Sequence, residues 1–298
     1  MISEEHVQAY LKARPSLRSD ATIRNHTSVI RRLATVPHKT LPDLIEFCIT
    51  PAAGHGTVSR GTIQQRSKVI VGFFGWCEEA GLVKENPSTN LRRDLPRGAP
   101  GSRRHNWLSV DQVRTLIARD GVDEREQIII LFGCHAGLRV SEICNLAWED
   151  LDLPERQMYV FGKHEKMSTV GLSDQLTEAL RLWKAAAIEA YGVKGMGKVR
   201  VVPRYSQLDW RRKVIDWSED TISTTTVRKI VQQAGWDIGV DALTPHDLRR
   251  TLAGILDRRD IPIGRISEIL RHSSIETTQG YLEANPHRGI KLLKEFSL

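Results

Sequence analysis

Residues 244–282 read TPHDLRRTLAGILDRRDIPIGRISEILRHSSIETTQGYL, and the rest of the chain is read outward from them. Thr244 followed by Pro245 is a strong helix start, with the hydroxyl as N-cap and proline at a position whose N–H has no helical partner. His246 and Arg249 lie three apart, so they share a face near that helix's N-terminus, where the dipole favours an anion. A further helix is predicted over 263–270, with Ile263, Ile266, Ile269 and Leu270 inward and His272 at its end. Ser274 can cap a last short helix over 275–282 that carries Tyr281. His246, Arg249, His272 and Tyr281 fall within 36 residues, an order that suggests phosphate chemistry with the nucleophile last.

Upstream, the pattern predicts a helix over 224–234, a short strand over 199–202 and a long helix capped by Ser173 that runs to about residue 191. Residues 157–173 (QMYVFGKHEKMSTVGLS) alternate as two strands around a turn at 162–166, which places Lys163 and Lys166 on a hairpin tip. Residues 137–153 read GLRVSEICNLAWEDLDL. Here Arg139 and Glu142 share a helix face, opposite Val140, Ile143 and Leu146. Alone, such a pair is a surface ion pair worth roughly a few tenths of a kcal/mol, and a lysine on a turn is a solubilising residue. A buried helix over 124–136, closed by Gly137, and an amphipathic one after Ser109 complete a domain over 107–298.

Residues 86–106 (NPSTNLRRDLPRGAPGSRRHN) have a different composition. Prolines and glycines there cannot continue a helix, and Arg92, Arg93, Arg97, Arg103 and Arg104 face only Asp94, a local balance of +4. A basic, proline-spaced linker over 91–106 suits a phosphate backbone. Before it, residues 1–90 hold helical patterns and no strand candidate, so they read as an all-α module. Arg60, Gln64, Gln65, Arg66 and Lys68 are assigned to the polar side of its last helix, over 57–80. That side is either a solvated face or a DNA phosphate contact.

Composition narrows the class. A hydrophobic content of 40% supports folded domains, and a net charge of +7 favours an anionic partner, nucleic acid first. Cys48, Cys77, Cys134 and Cys144 form no CxxC pair or zinc-ligand spacing, which fits buried thiols in a reducing compartment. The N-terminus lacks a signal-peptide pattern and the apolar runs are too short to span a bilayer. A cytoplasmic protein with no membrane partner is the expectation.

The motifs resemble those of the tyrosine recombinase (phage integrase) family over nearly the whole chain. GLRVSEI (137–143) is similar to that family's first arginine box, and Lys163 after Gly162 to its hairpin lysine. HDLR (246–249) resembles its His-x-x-Arg box, and LRHSSIETTQGY (270–281) its last box, with nine positions from His272 to Tyr281. Agreement across motifs, order and upstream organisation makes the resemblance specific. It implies a mainly α fold with a small β-hairpin or sheet in the catalytic domain and an all-α DNA-binding domain before it. Three departures stand out: Arg271 where the family usually has glycine, Gly280 before the tyrosine, and Arg250 where an aromatic or histidine is common.

The resemblance also implies roles. Tyr281 would be the nucleophile that forms a 3′-phosphotyrosyl bond, with Arg139 and Arg249 forked onto the phosphate. Lys163 would be the general acid, with Lys166 as its rival. His246 would assist proton transfer, His272 would hydrogen-bond the phosphate, and Glu142 would orient Arg139 or His246. No cofactor and no metal are implied. The implied partner is double-stranded DNA with inverted half-sites, bound by a homotetramer in which residues 287–298 pass between protomers. The module begins at the chain start, which favours the Xer-like two-domain type. Integration, excision and dimer resolution all fit. A type IB topoisomerase and a non-cleaving DNA-binding regulator are the alternatives.

Overall fold

Serine, threonine or aspartate stands before most of the helices and accepts a hydrogen bond from the third backbone N–H, as at Ser19 to Thr22 (3.2 Å), Ser59 to Thr62 (3.3 Å) and Asp123 to Glu126 (2.7 Å). The computed structural model describes residues 2–17, 19–37, 39–52, 56–96, 106–162, 167–205 and 215–283. They form two compact units on either side of residues 97–105. The fold is mainly helical with small antiparallel sheets, as the sequence led us to expect.

The first unit contains α1 (Glu4–Ala13), α2 (Asp20–Ala34), α3 (Leu41–Ile49), α4 (Arg60–Glu79) and a single-turn α5 (Leu91–Asp94). Its core is built from Tyr10, Ile30, Leu33, Leu44, Ile70 and Phe73. Two expectations need correction. The predicted linker begins too early, because α5 is helical and Leu91 is fully buried in this core. Arg66, read as a surface residue, is buried, and its Nη1 donates to the carbonyls of Phe47 (3.1 Å), Cys48 (3.0 Å) and Thr50 (2.7 Å). Those carbonyls are the orphan acceptors at the end of α3, so Arg66 acts as a buried cap for that helix.

The second unit starts with α6 (Val110–Ala118) and α7 (Glu124–His135), and the latter is buried on nearly every side. After α8 (Val140–Asn145) comes a sheet of β1 (Leu151–Asp152), β2 (Gln157–Phe161) and β3 (Met167–Gly171). Its antiparallel register pairs Met158 with Val170 and Phe161 with Met167. Lys163 and Lys166 lie outside the described residues. The chain continues through α9 (Asp174–Tyr191), β4 (Arg204–Tyr205), β5 (Ile215–Asp216) and α10 (Thr224–Asp237). The strand expected over 199–202 is an extended crossing with a single bridge, Ala147 to Arg200, although Val199, Val201 and Val202 are fully buried. Its backbone bonds are split between Leu146 and Trp148 on one segment and Ser218 on another, so no ladder forms. The described residues end with α11 (Pro245–Arg258), α12 (Ile263–Leu270) and α13 (Ile275–Glu283).

The main core of this unit gathers around α7, which packs against both α9 and α11. A second cluster, with Leu252, Ile266, Leu270, Tyr281 and Leu282, joins the last three helices. All four cysteines are buried, and desolvation pushes their thiols up, to about 12 for Cys134. Among the described residues no helix is long and apolar enough to cross a membrane, and no group of three His, Cys, Asp or Glu could hold a metal ion.

Candidate active site

Three chain segments meet at one end of the second unit, and local structure places each. The first is the turn after α7. Gly137 takes a left-handed φ of +58° and its backbone redirects the chain into Arg139, the N-cap of α8. Glu142 reaches back so that its Oε2 accepts from the Arg139 backbone N–H (2.7 Å) and its Oε1 from Arg139 Nη1 (2.7 Å). This is a capping-box contact in which the capped residue is itself a cation.

The second segment is the start of α11. Thr244 accepts from the Asp247 backbone N–H (3.2 Å), while Asp247 Oδ2 accepts from the Thr244 N–H (3.0 Å) and hydroxyl (2.7 Å). That reciprocal cap holds the first turn, which carries His246 and Arg249. Arg249 is 1% exposed and donates to the carbonyls of Gly137 and Leu270, so it ties α11 to both other segments.

The third segment runs from the end of α12 into α13. Arg271 Nη2 lies 2.8 Å from Glu142 Oε2, and the Arg271 carbonyl accepts from Arg139 Nη2 at 2.9 Å. His272 Nδ1 is 2.7 Å from the hydroxyl of the fully buried Thr278. Its Nε2 is buried without a hydrogen-bond partner. If the Thr278 hydroxyl donates to Nδ1, the proton of neutral His272 sits on Nε2, where it can be given to an anion.

Tyr281 is 8% exposed, and its hydroxyl lies 2.9 Å from His246 Nε2. The ring meets His246 edge-on (centroids 5.2 Å apart) and His272 likewise (4.8 Å), and the Arg250 guanidinium sits 5.0 Å from its centroid. The fold therefore brings Arg139, Glu142, Arg249, His246, His272 and Tyr281 into one linked cluster.

Electrostatics in the cluster follow from its burial. Desolvation works to raise the Glu142 pKa. It is outweighed first by the Arg271 charge and then by the bonds and charge of Arg139, so the carboxyl ends below its ordinary value and is ionised. Burial, with repulsion from Arg139 and Arg271, pulls Arg249 down to about 10, still protonated at neutral pH. Burial and then the arginines Arg249 and Arg139, with His246 and Arg271, pull His272 down to about 4. Arg139, Arg249 and Arg271 thus set three guanidinium cations around the Glu142 carboxylate and the neutral His272 imidazole, an excess of positive charge suited to a phosphodiester.

Of the residues assigned to DNA contact, Arg60, Gln64 and Lys68 are exposed on α4 and Arg92 is exposed on α5. Arg93 is exposed too, but bonds Asp94 at 2.8 Å, and Arg66 is buried. Arg103 and Arg104 lie outside the described residues, as does the tail over 287–298. The site also contains a residue that the sequence reading passed over, Thr278. Its signal was its place three residues before Tyr281, on the same face of α13.

Residues 106–288 match the sequence profile of the phage integrase family. The chain belongs to that family. Among curated relatives, the tyrosine recombinase XerC of Corynebacterium efficiens is 28% identical over 292 residues, covering 93% of this chain and 86% of the relative. XerC of Thermodesulfovibrio yellowstonii is 29% identical over 255 residues, covering 82% and 78%. The tyrosine recombinase XerA of Pyrococcus furiosus is 28% identical over 270 residues, covering 89% and 84%. The fold is shared with solved structures. XerH site-specific recombinase bound to palindromic difH substrate has a TM-score of 0.70 at 16% identity, covering 97% of this chain and 83% of that one. A lambda integrase dimer bound to a COC′ core site has a TM-score of 0.67 at 16% identity, covering 97% and 98%. This family member is a Xer-like tyrosine recombinase, an enzyme that cleaves and rejoins DNA.

Proposed function

We propose that this enzyme carries out site-specific recombination through a 3′-phosphotyrosyl intermediate made by Tyr281. The observation that carries the reading is the placement of the Tyr281 hydroxyl, 2.9 Å from His246 Nε2 in the cluster built around Arg139, Glu142 and Arg249. In this reading Tyr281 Oη attacks the scissile phosphorus, and His246 takes up its proton as the Oη–P bond forms. The P–O5′ bond breaks and its oxygen receives a proton from Lys163. Arg139, Arg249 and the Nε2–H of His272 stabilise the non-bridging oxygens, whose charge rises in the transition state. Attack by a free 5′-hydroxyl on the phosphotyrosine reverses the step on a new strand. The bond energy is conserved in the covalent link, so the step balances without an external energy source.

The reading extends to organisation. Residues 1–96 grip DNA with help from the exposed face of α4, residues 106–298 cut it, and the arginines between them follow the phosphate backbone. Two inverted half-sites and four chains make a synapse, with residues 287–298 exchanged between neighbours. The XerH structure of the same fold, in a post-cleavage complex on a palindromic substrate, supports the inverted half-sites by analogy.

The test is a nicked suicide duplex carrying DNA from the locus that encodes the chain. Wild type should yield a covalent protein–DNA band, and Tyr281→Phe should yield none. Native electrophoresis of the same reaction should show a four-chain complex on two duplexes. Equal adduct from both proteins would exclude Tyr281 as the nucleophile.

A further inference from the structure

Arg271 ends α12 in a left-handed conformation, φ 54° and ψ 45°. Glycine adopts this helix-ending geometry without penalty, and a side chain with a Cβ does not. An arginine here therefore needs compensation, and its contacts show where that lies. The side chain is 10% exposed and folds back towards α8. Nη2 meets Glu142 Oε2 at 2.8 Å and the Gly137 carbonyl at 3.3 Å, while Nη1 meets the Ile269 carbonyl at 3.2 Å.

These bonds close a ring. Arg139 Nη1 is held by Glu142 Oε1, and Arg139 Nη2 by the Arg271 carbonyl. Glu142 Oε2 is held in turn by the Arg271 guanidinium. Burial differs sharply around it. The Glu142 side chain is 3% exposed, that of Arg271 10%, and that of Arg139 40%. The buried carboxylate thus has a buried cation of its own, and the cation that opens to solvent keeps a charge the carboxylate would otherwise cancel.

We propose that Arg271 is a positioning residue for Arg139: its side chain balances Glu142 and its carbonyl holds the guanidinium, so that Arg139 meets the scissile phosphate oriented and with its charge uncompensated. This rests on the reading of Arg139 as a phosphate ligand. Arg271 itself touches no DNA in this scheme. Deleting its side chain leaves Arg139, among the described residues, as the one cation hydrogen-bonded to Glu142, which draws the Arg139 guanidinium inward and offsets its charge.

The variants Arg271→Gly and Arg271→Lys separate this role from a structural one, because glycine relieves the left-handed backbone while removing the cation. In the full-length protein, Arg271→Gly should melt below the wild-type temperature, because relief of the left-handed backbone only partly offsets the lost partner of a buried carboxylate. Well below that temperature, where the variant is folded, it should bind the duplex with unchanged affinity. Its single-turnover cleavage at saturating protein should fall about 10- to 100-fold, the usual scale for residues that orient a ligand-bearing group. Arg271→Lys, with a charge and no fork, should recover part of the loss. A duplex whose scissile phosphate carries a methyl in place of one non-bridging oxygen removes the charge that Arg139 is there to meet. On that duplex the gap between wild type and Arg271→Gly should close. Wild-type cleavage rates in folded Arg271→Gly, or a gap that persists on the methylated duplex, would each overturn the proposal. If wild type itself gives no Tyr281-dependent adduct, the recombination mechanism falls, and the role of Arg271 falls with it.

Discussion

His272 shows how far the surroundings can move one residue. An exposed imidazole titrates near 6.5, but burial and the arginines nearby bring this one to about 4. The sign follows from linkage. The unfolded chain takes up the proton first, so the contribution to stability is fully present above pH 6.5 and is lost as pH falls from there towards 4. Its upper bound is on the order of 3 kcal/mol. The expected outcome in 15N-histidine spectra is a neutral His272, protonated at Nε2, down to about pH 5, with a midpoint near 4. A midpoint near 6.5, or a proton on Nδ1, would contradict the assignment of Nε2 as donor. That this histidine gathers with Arg139, Glu142, His246, Arg249 and Tyr281 was to be expected from the sequence, because helix periodicity and box order are local signals. Its protonation state was not, because that depends on charges brought together from α8, α11 and α12. Arg66 illustrates the opposite error. Ile63, Arg66, Ile70, Phe73 and Cys77 recur at three and four residues, so periodicity already puts Arg66 on the buried stripe. Its charge argues for the surface and its position for the core, and the position wins.

At the scale of elements, the site depends on how closely α11 lies against α7. Gly133 on α7 faces Leu248 on α11, and a Cβ built at Gly133 would fall 2.7 Å from Leu248 Cβ and 2.8 Å from its Cδ1. No rotamer of leucine moves its own Cβ, so the helices must separate. Gly133→Ala should therefore cost about 1–3 kcal/mol, the usual range for overpacking. Leu248 sits between His246 and Arg249 in sequence, so the same displacement shifts both. Cleavage should fall by more than DNA affinity does, measured as single-turnover rate against equilibrium binding. A variant with unchanged melting temperature and rate would show that the two helices can part freely. The helix boundaries themselves were largely visible in the sequence, since Ser109, Ser173 and Thr244 announce three of them. Short strands β1, β4 and β5 were not visible. Two residues are too few for alternation to register, and their pairing depends on partners set by the surrounding helices.

The whole molecule has one core in α1 to α5 and another centred on α7, the latter with a satellite cluster that includes Tyr281. Each unit should therefore have a stability of its own, and Arg66 offers a way to address one without the other. The buried guanidinium satisfies three carbonyls at the end of α3, and its loss leaves those acceptors in a dry environment. Arg66→Ala should cost the first unit about 2–4 kcal/mol, the scale for removing a buried charged hydrogen-bond donor. Hydrogen exchange in the full chain is the measurement that resolves the units. Amides of α3 and α4 should lose protection in Arg66→Ala by the amount of the destabilisation, while those of α7 and α11 keep theirs. Cleavage of a duplex at saturating protein should survive with weakened DNA binding, because the residues of the cluster around Tyr281 all belong to the second unit. Equal loss of protection in both units would mean that they unfold as one, and the separate cores would then be a feature of packing without thermodynamic independence.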